Sequence, residues 1–414
     1  MKKFLFVLLG VILVCSLAII NCAPKEQAIQ APKVLKIGAV LPLTGPAAGY
    51  GQPTLAGCQL AVDTINANGG FKLGRDTYTI ELIPEDDQFT SDGAKTAGEK
   101  LVTRDGVKFI FGAQETNDTL GLQLVTTPNK VLTFNMAWAD TVLRDPATKK
   151  AIPYAFKMQT APHELLRGIW GYIQNAYPEV KNVAEFGPNT DSGHYGQQLD
   201  ASLVKYLGYN VVYNGYHEYG LTDFYPQLTQ ILATKPDIIH STSSGPSDWG
   251  LIIKQAREMG YKGHFMQEVN IGSDVIGSIA GKEAVEGLIT IDYLEQGPNA
   301  SQDLVDFQKA FAAKIGARIP GVCVVPSALG CLVGAMQKAG TVEDTDAIQK
   351  MLETNTFHVM GLDMRFVGAD YYGANRALAL PVLVCEVRGG ELVPVASLSV
   401  EELFSPWPKG VDEP

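Results

Sequence analysis

From residue 33 onward the chain alternates short apolar runs rich in β-branched and aromatic residues with amphipathic stretches. That alternation confines it to folds in which helices flank parallel sheets. KVLKIGAVLPL (33–43), TYTIELI (77–83), VKFIFG (107–112) and KVLTFN (130–135) read as strands of a first lobe. VAEFG (183–187), YNVVYNGY (209–216), PDIIHST (236–242), GHFMQ (263–267) and GLITI (287–291) continue the pattern. About eight such units exceed the five or six strands of an ordinary doubly wound sheet, so two lobes are expected. At 414 residues and 46% hydrophobic content the chain can build both cores.

The segments between the strands carry helical stripes. Phe224, Leu228, Ile231 and Leu232 recur at i, i+4, i+7, i+8, and Leu329, Leu332, Val333 and Met336 at i, i+3, i+4, i+7. Asn68-Gly69-Gly70 supplies the turn that stops the first helix. A break between lobes is expected near Phe156–His163, where a short strand-like YAFKM precedes Pro162. After about residue 340 a helix at 344–354 is followed by MRFVG, LALPVLVCEV and ELVPVAS, which read as antiparallel strands closing the sheets.

The first residues stand outside this fold. Met1-Lys2-Lys3 and the apolar run Phe4–Ile20 form the basic and hydrophobic parts of a secretory signal, with a retained membrane helix as the alternative. The run ends Ile19-Ile20-Asn21-Cys22, which resembles a bacterial lipobox, although Asn21 stands where a small residue is usual. We therefore expect residues 1–21 to be a signal peptide, Cys22 a lipidation site and 22–33 a polar tether. Cys58 lies on an apolar stripe and Cys385 inside an apolar strand, so both read as core thiols, while Cys323 and Cys331 are too far apart along a helix starting near Pro326 to bridge.

With 33 Lys+Arg against 44 Asp+Glu the net charge is −11, and no basic run exceeds a pair, which argues against nucleic acid as a partner. Catalytic signatures are missing. The six histidines are scattered singly and read as surface or strand-end residues. There is no HExxH, GxSxG or GxGxxG, and GSIAGKE (277–283) reads as a helix end and turn rather than a phosphate loop. No enzyme activity, metal or cofactor is expected.

What remains is a set of residues at the carboxyl ends of strands, where open α/β sheets bind ligands. Tyr50 follows the first strand. Thr116 and Asn117 open the helix after VKFIFG, either as plain N-caps or as part of a carboxylate site on free backbone amides. Ala137, Trp138 and Ala139 follow KVLTF, and the indole is either a pocket wall or a core residue.

TGPAAGYG (44–51), AVDTINANGG (61–70), IELIPEDDQFTSDGAKTAGEKLV (80–102), TDFYPQLTQILATKPDII (222–239) and IIKQAREMGYKGHFM (252–266) resemble the leucine/isoleucine/valine-binding protein family, the type I periplasmic solute receptors, over residues 34–370. The resemblance implies two doubly wound parallel-sheet lobes joined by three hinge crossovers, closing on a ligand and serving the permease of an ABC transporter. Lobe 1 would combine 34–157 with 293–369, and lobe 2 would combine 158–292 with 370–414. It further implies that Tyr195 closes over the ligand and walls it with Tyr50 and Trp138, that Thr116 and the backbone at Ala137–Ala139 hold a carboxylate, and that Glu268 receives an ammonium. Ala139 replaces a family threonine, Trp138 a small residue, and Ser243, Ser244 and Gly245 occupy the place of a second-lobe tyrosine. The expected ligand is a branched-chain or related amino acid; an aromatic acid, an aromatic amino acid or a small amide, or a sensing rather than a transport role, are the alternatives. The expected partners are that ligand, permease subunits and, through Cys22, the cell-envelope membrane.

Overall fold

The computed structural model describes residues 31–160, 162–268, 273–293, 300–405, 408 and 411. The expected signal peptide, Cys22 and the tether up to residue 30 lie outside the described residues. The chain starts with β1 (Lys33–Leu41), α1 (Ala48–Ala67), β2 (Phe71–Leu73), β3 (Asp76–Asp86), α2 (Ser91–Glu99), β4 (Phe109–Gly112), α3 (Thr116–Thr126), β5 (Leu132–Asn135) and β6 (Ala155–Lys157). It then builds a second lobe from α4 (Pro162–Ala176), β7 (Asn182–Pro188), α5 (Asp191–Tyr206), β8 (Asn210–His217), α6 (Tyr225–Ala233), β9 (Ile238–His240), α7 (Pro246–Glu258), β10 (His264–Met266), α8 (Ser273–Ala280) and β11 (Leu288–Tyr293). A return to the first lobe adds α9 (Gln302–Ile315), α10 (Val324–Ala339), α11 (Thr345–Thr354), β12 (Thr356–Val359), β13 (Leu362–Val367), α12 (Ala369–Tyr372) and β14 (Ala377–Leu378). The second lobe then takes β15 (Val382–Arg388) and β16 (Glu391–Leu398), followed by α13 (Val400–Leu403).

The strands form a nine-stranded sheet, β12-β13-β14-β6-β5-β4-β1-β3-β2, and a seven-stranded sheet, β16-β15-β11-β10-β9-β7-β8. The middle of each is parallel, as the strand–helix alternation requires, and the edges are antiparallel: β2 on β3, β12 on β13, β13 on β14, β15 on β11 and β16 on β15. The chain passes between the sheets after Lys157, after Tyr293 and after Leu378. The last crossing falls later than the expected boundary at 370, because Ala377 pairs with Lys157 and Leu378 with Phe366, both in the first sheet.

The register explains the first core. Phe111 lies opposite Phe134, and Phe134 opposite Phe156. Their rings stack at 5.1 and 5.7 Å, and Phe366 meets Phe156 edge-on at 4.9 Å. Such aromatic pairs on one face add stability beyond the area that they bury. In the second lobe Phe186, Phe224, Trp249 and Phe265 are fully buried. Leu228 and Ile231 are buried on the face of α6 that the apolar stripe marks, and Phe224 stands at its N-cap. Cys58, Cys323, Cys331 and Cys385 are all buried, and α10 starts at Val324, two residues before Pro326. Gly51 has to be glycine for space: a Cβ there would lie 2.0 Å from the Pro42 carbonyl oxygen, so the chain can turn tightly from β1 into α1.

Candidate functional site

In the first sheet β1 has β3 on one side and β4 on the other; in the second, β7 lies between β8 and β9. Each is a point where the direction of winding reverses, and the loops beyond the strand ends diverge there to leave a crevice. The two crevices face one another across a cavity of about 90 Å³. A single water needs about 10–15 Å³ by the same measure, so the cavity holds about six to nine water-sized centres, the scale of one small organic molecule.

The wall from the first lobe comes from Tyr50 and Pro53 on α1, Phe89 after β3, Gln114 and Glu115 after β4, and Met136 and Trp138 after β5. The opposite wall comes from Ser192 at the start of α5, Tyr219 after β8, Ser243 after β9 and Gln267 after β10. Gln159, Ile319, Gly321 and Val322, near the crossovers, complete it. Aromatic and aliphatic side chains dominate, with a few polar groups between them, which is the usual make-up of a small-molecule site. Among the described residues, none that lines the cavity is Lys, Arg or His.

Hydrogen bonds cross the cleft. Tyr50 donates to the Ser243 carbonyl at 3.0 Å, and Tyr219 donates to the same oxygen at 2.5 Å from its own lobe. The Thr116 and Ser192 hydroxyls meet at 2.8 Å. Ser192 N–H, in the first turn of α5, donates at 2.8 Å to Glu115 of the facing lobe. A carboxylate from one lobe thus satisfies a free amide at the helix start of the other, where the helix dipole also favours it. Burial nevertheless raises the pKa of Glu115, against the lowering effect of these bonds to Ser192. Tyr195 donates to Asp140, and the Tyr372 hydroxyl lies within hydrogen-bond distance of both Asp140, at 3.1 Å, and Glu164, at 3.0 Å. The lobes are closed on each other, and the cavity is what closure encloses.

A family model described as periplasmic binding protein matches residues 34–391. The chain belongs to that family. A leucine-, isoleucine-, valine-, threonine-, and alanine-binding protein of Pseudomonas aeruginosa is 27% identical over 350 residues, 79% of this chain and 84% of that protein. Among solved structures, the leucine binding protein LivK of Thermotoga maritima superimposes with a TM-score of 0.73 at 21% identity, covering 88% of this chain and 99% of that one. A solute binding protein of an ABC transporter from Rhodopseudomonas palustris BisB5, in complex with 3,4-dihydroxy benzoic acid, gives 0.74 at 19% identity, covering 92% and 99%. These likenesses carry the type I fold: two parallel-centred α/β lobes with three crossovers.

The residues singled out in the sequence occupy different places in this binding protein. Tyr50 and Trp138 line the cavity. Thr116 lies just behind the wall, nearly fully buried, where its hydroxyl also accepts the Ala139 N–H at 3.2 Å. It therefore does not cap α3; Glu115 holds the N-cap position, and its side chain makes no capping bond. Asn117 is exposed on the outer face of that helix. Ala137 and Ala139 are buried, and the Ala137 N–H is taken by the Asn135 side chain. Tyr195 is buried at the closure contact with Asp140 rather than along the cavity wall.

Glu268 is fully buried beneath the cavity, and His240 Nε2 bonds to it at 3.0 Å. The other ring nitrogen of His240 faces Glu185 at 2.8 Å and Asp200 at 2.7 Å. Trp170 Nε1–H donates to Asp200 at 2.6 Å. Burial opposes charge on this imidazole, but Asp200 and Glu185 outweigh it and raise its pKa well above the ordinary value. Burial, reinforced by Asp200, in turn pushes the Glu185 carboxyl well up. Glu185, Asp200 and His240 are close enough to hold a metal ion; here the imidazole nitrogen itself sits between the two acidic side chains. His240 ends its strand, as expected of the histidines, yet it is fully buried.

Gln114, Glu115, Ser192, Tyr219 and Gln267 are cavity residues the sequence reading passed over. Tyr219 supplies an aromatic ring and hydroxyl beside Ser243, where the stretch after β9 has no tyrosine of its own.

Proposed function

We propose that this protein is the extracytoplasmic receptor of an ABC uptake transporter, capturing a branched-chain or related amino acid, an aromatic acid or a small amide between its lobes. The closed form is what the permease subunits meet, and the chain carries out no chemistry on its ligand. The observation that carries this reading is the largely apolar cavity whose walls come from both lobes and whose rim is tied by hydrogen bonds across the cleft. A ligand seated there touches both halves at once, so its binding energy is available only in the closed state and shifts the population toward it. The names of the relatives support an amino acid, and the dihydroxybenzoate neighbour supports an aromatic ligand on the same scaffold. Export through the N-terminal signal and anchoring at Cys22 complete the proposal.

A thermal-shift panel on the mature protein tests it: aliphatic amino acids, aromatic amino acids, aromatic acids and short amides. At least one class raises the melting temperature in proportion to the logarithm of its concentration above Kd. If no compound does so, and native mass spectrometry finds no small molecule carried through purification, the receptor reading is wrong.

A further inference from the structure

The groups that would grip an amino acid's charged ends are partly engaged within the chain. Thr116 bonds to Ser192 and to the Ala139 N–H, and Glu268 gives Oε2 to His240 while its Oε1 is buried with no hydrogen-bond partner among the described residues. With no cationic side chain among the described lining residues, and with Glu115 in the wall and Glu268 beneath it, an anionic group entering the cavity would be desolvated without a counter-charge.

Residues that line the cavity carry other polar atoms with no partner among the described residues. Trp138, 3% exposed, has its indole Nε1–H buried and unbonded. Gln267, 1% exposed, donates through Nε2 to the Ser244 carbonyl at 3.0 Å, which fixes the orientation of its amide and leaves Oε1 buried and unbonded. Gln114 Oε1 is likewise buried and unbonded. Buried donors and acceptors are nearly always satisfied, and an unsatisfied one at a ligand site marks where the ligand supplies the partner. The remaining wall is largely apolar and aromatic, with the rings of Tyr50, Phe89, Trp138 and Tyr219, and Tyr219 stands edge-on to both Tyr50 and Phe89.

We propose that the cavity selects an uncharged, flat ligand bearing both an acceptor and an N–H or O–H donor, the acceptor meeting Trp138 Nε1–H and the donor meeting Gln267 Oε1. A primary aromatic carboxamide has this pattern. The inference rests on the receptor reading above and narrows its ligand class. It separates compounds of equal size and shape by charge alone: an amide pairs with both groups, whereas the matching carboxylate gives Gln267 Oε1 no donor and carries a charge that nothing in the wall compensates.

The test is calorimetry on the mature protein with benzamide, benzoate and leucine, repeated with Trp138→Phe, which keeps an aromatic ring and removes the N–H. Benzamide binds at least about tenfold more tightly than benzoate or leucine, and Trp138→Phe weakens benzamide by about two- to tenfold, the range for one neutral hydrogen bond, with the ligand-free melting temperature nearly unchanged. Tighter binding of leucine or benzoate overturns the inference and leaves the receptor reading intact. Failure of all three to bind overturns the inference, and only an empty wider panel removes the receptor reading with it. Benzamide affinity equal in wild type and Trp138→Phe overturns the role of the indole, and the comparison of benzamide with benzoate needs no variant to fold.

Discussion

Tyr195→Phe isolates closure from ligand contact. The substitution deletes one hydroxyl, which on α5 of the second lobe donates to Asp140 of the first. Both side chains are shielded, at 8% and 5% exposure, so solvent screening takes little from the interaction. A hydrogen bond to a charged group contributes about 1.5–3 kcal/mol net. Asp140 keeps the Tyr372 hydroxyl at 3.1 Å and Lys157 Nζ at 3.6 Å, so it is not orphaned by the change, and the lower half of that range applies. The bond exists only when the lobes meet, so its loss disfavours the closed state by that amount, and affinity falls on the order of tenfold. Tyr195 does not line the cavity, so the ligand's own contacts are retained. Calorimetry on wild type and variant, with whichever compound of the panel stabilises the wild type, measures the effect. An affinity within twofold of wild type would refute the argument that this contact holds the closed form.

Two further outcomes concern a buried carboxyl group and the N-terminal segment. Asp118 is fully buried with neither carboxyl oxygen bonded among the described residues, and burial first, then Asp87, Glu115 and Asp191, push its pKa up to about 8. A folded-state pKa above the unfolded value of about 3.9 means that its stabilising contribution is complete below about pH 4 and lost as pH rises through about 8. Asp118→Asn therefore raises the melting temperature by more at pH 9 than at pH 5, and Asp87, itself raised to about 7, leaves a smaller residual slope; identical pH profiles for variant and wild type would contradict this. At the N-terminus, wild type expressed in a lipoprotein-processing host partitions with membranes and Cys22→Ser does not, as followed by fractionation and intact mass. Equal partitioning would remove Cys22 as the anchor.

The strands were legible because parallel strands buried on both faces leave dense apolar runs. VKFIFG became β4, PDIIHST became β9, and the antiparallel tail became β13, β15 and β16. The lobe break at YAFKM was legible because Pro162 starts a new helix directly after a strand. The cavity was less so, for a geometric reason. Consecutive residues beyond a strand end point to opposite sides, so an error of one position exchanges wall for interior: Gln267 faces the cavity while Glu268 faces His240, and Glu115 lines it while Thr116 lies behind. Phe89, Ser192 and Tyr219 come from separate strand–helix units that only folding and closure bring together, and no spacing in the sequence links them. One signal was available: Glu185 and His240 interrupt otherwise apolar strands, and buried hydrogen-bonding groups in neighbouring strands call for each other.

The central claim is that ligand is trapped by closure of two lobes, and small-angle X-ray scattering of the mature protein tests it most directly. Titrated with a compound that raises its melting temperature, the protein contracts, and its radius of gyration falls in step with calorimetric saturation. Saturable binding with an unchanged radius of gyration would contradict the account.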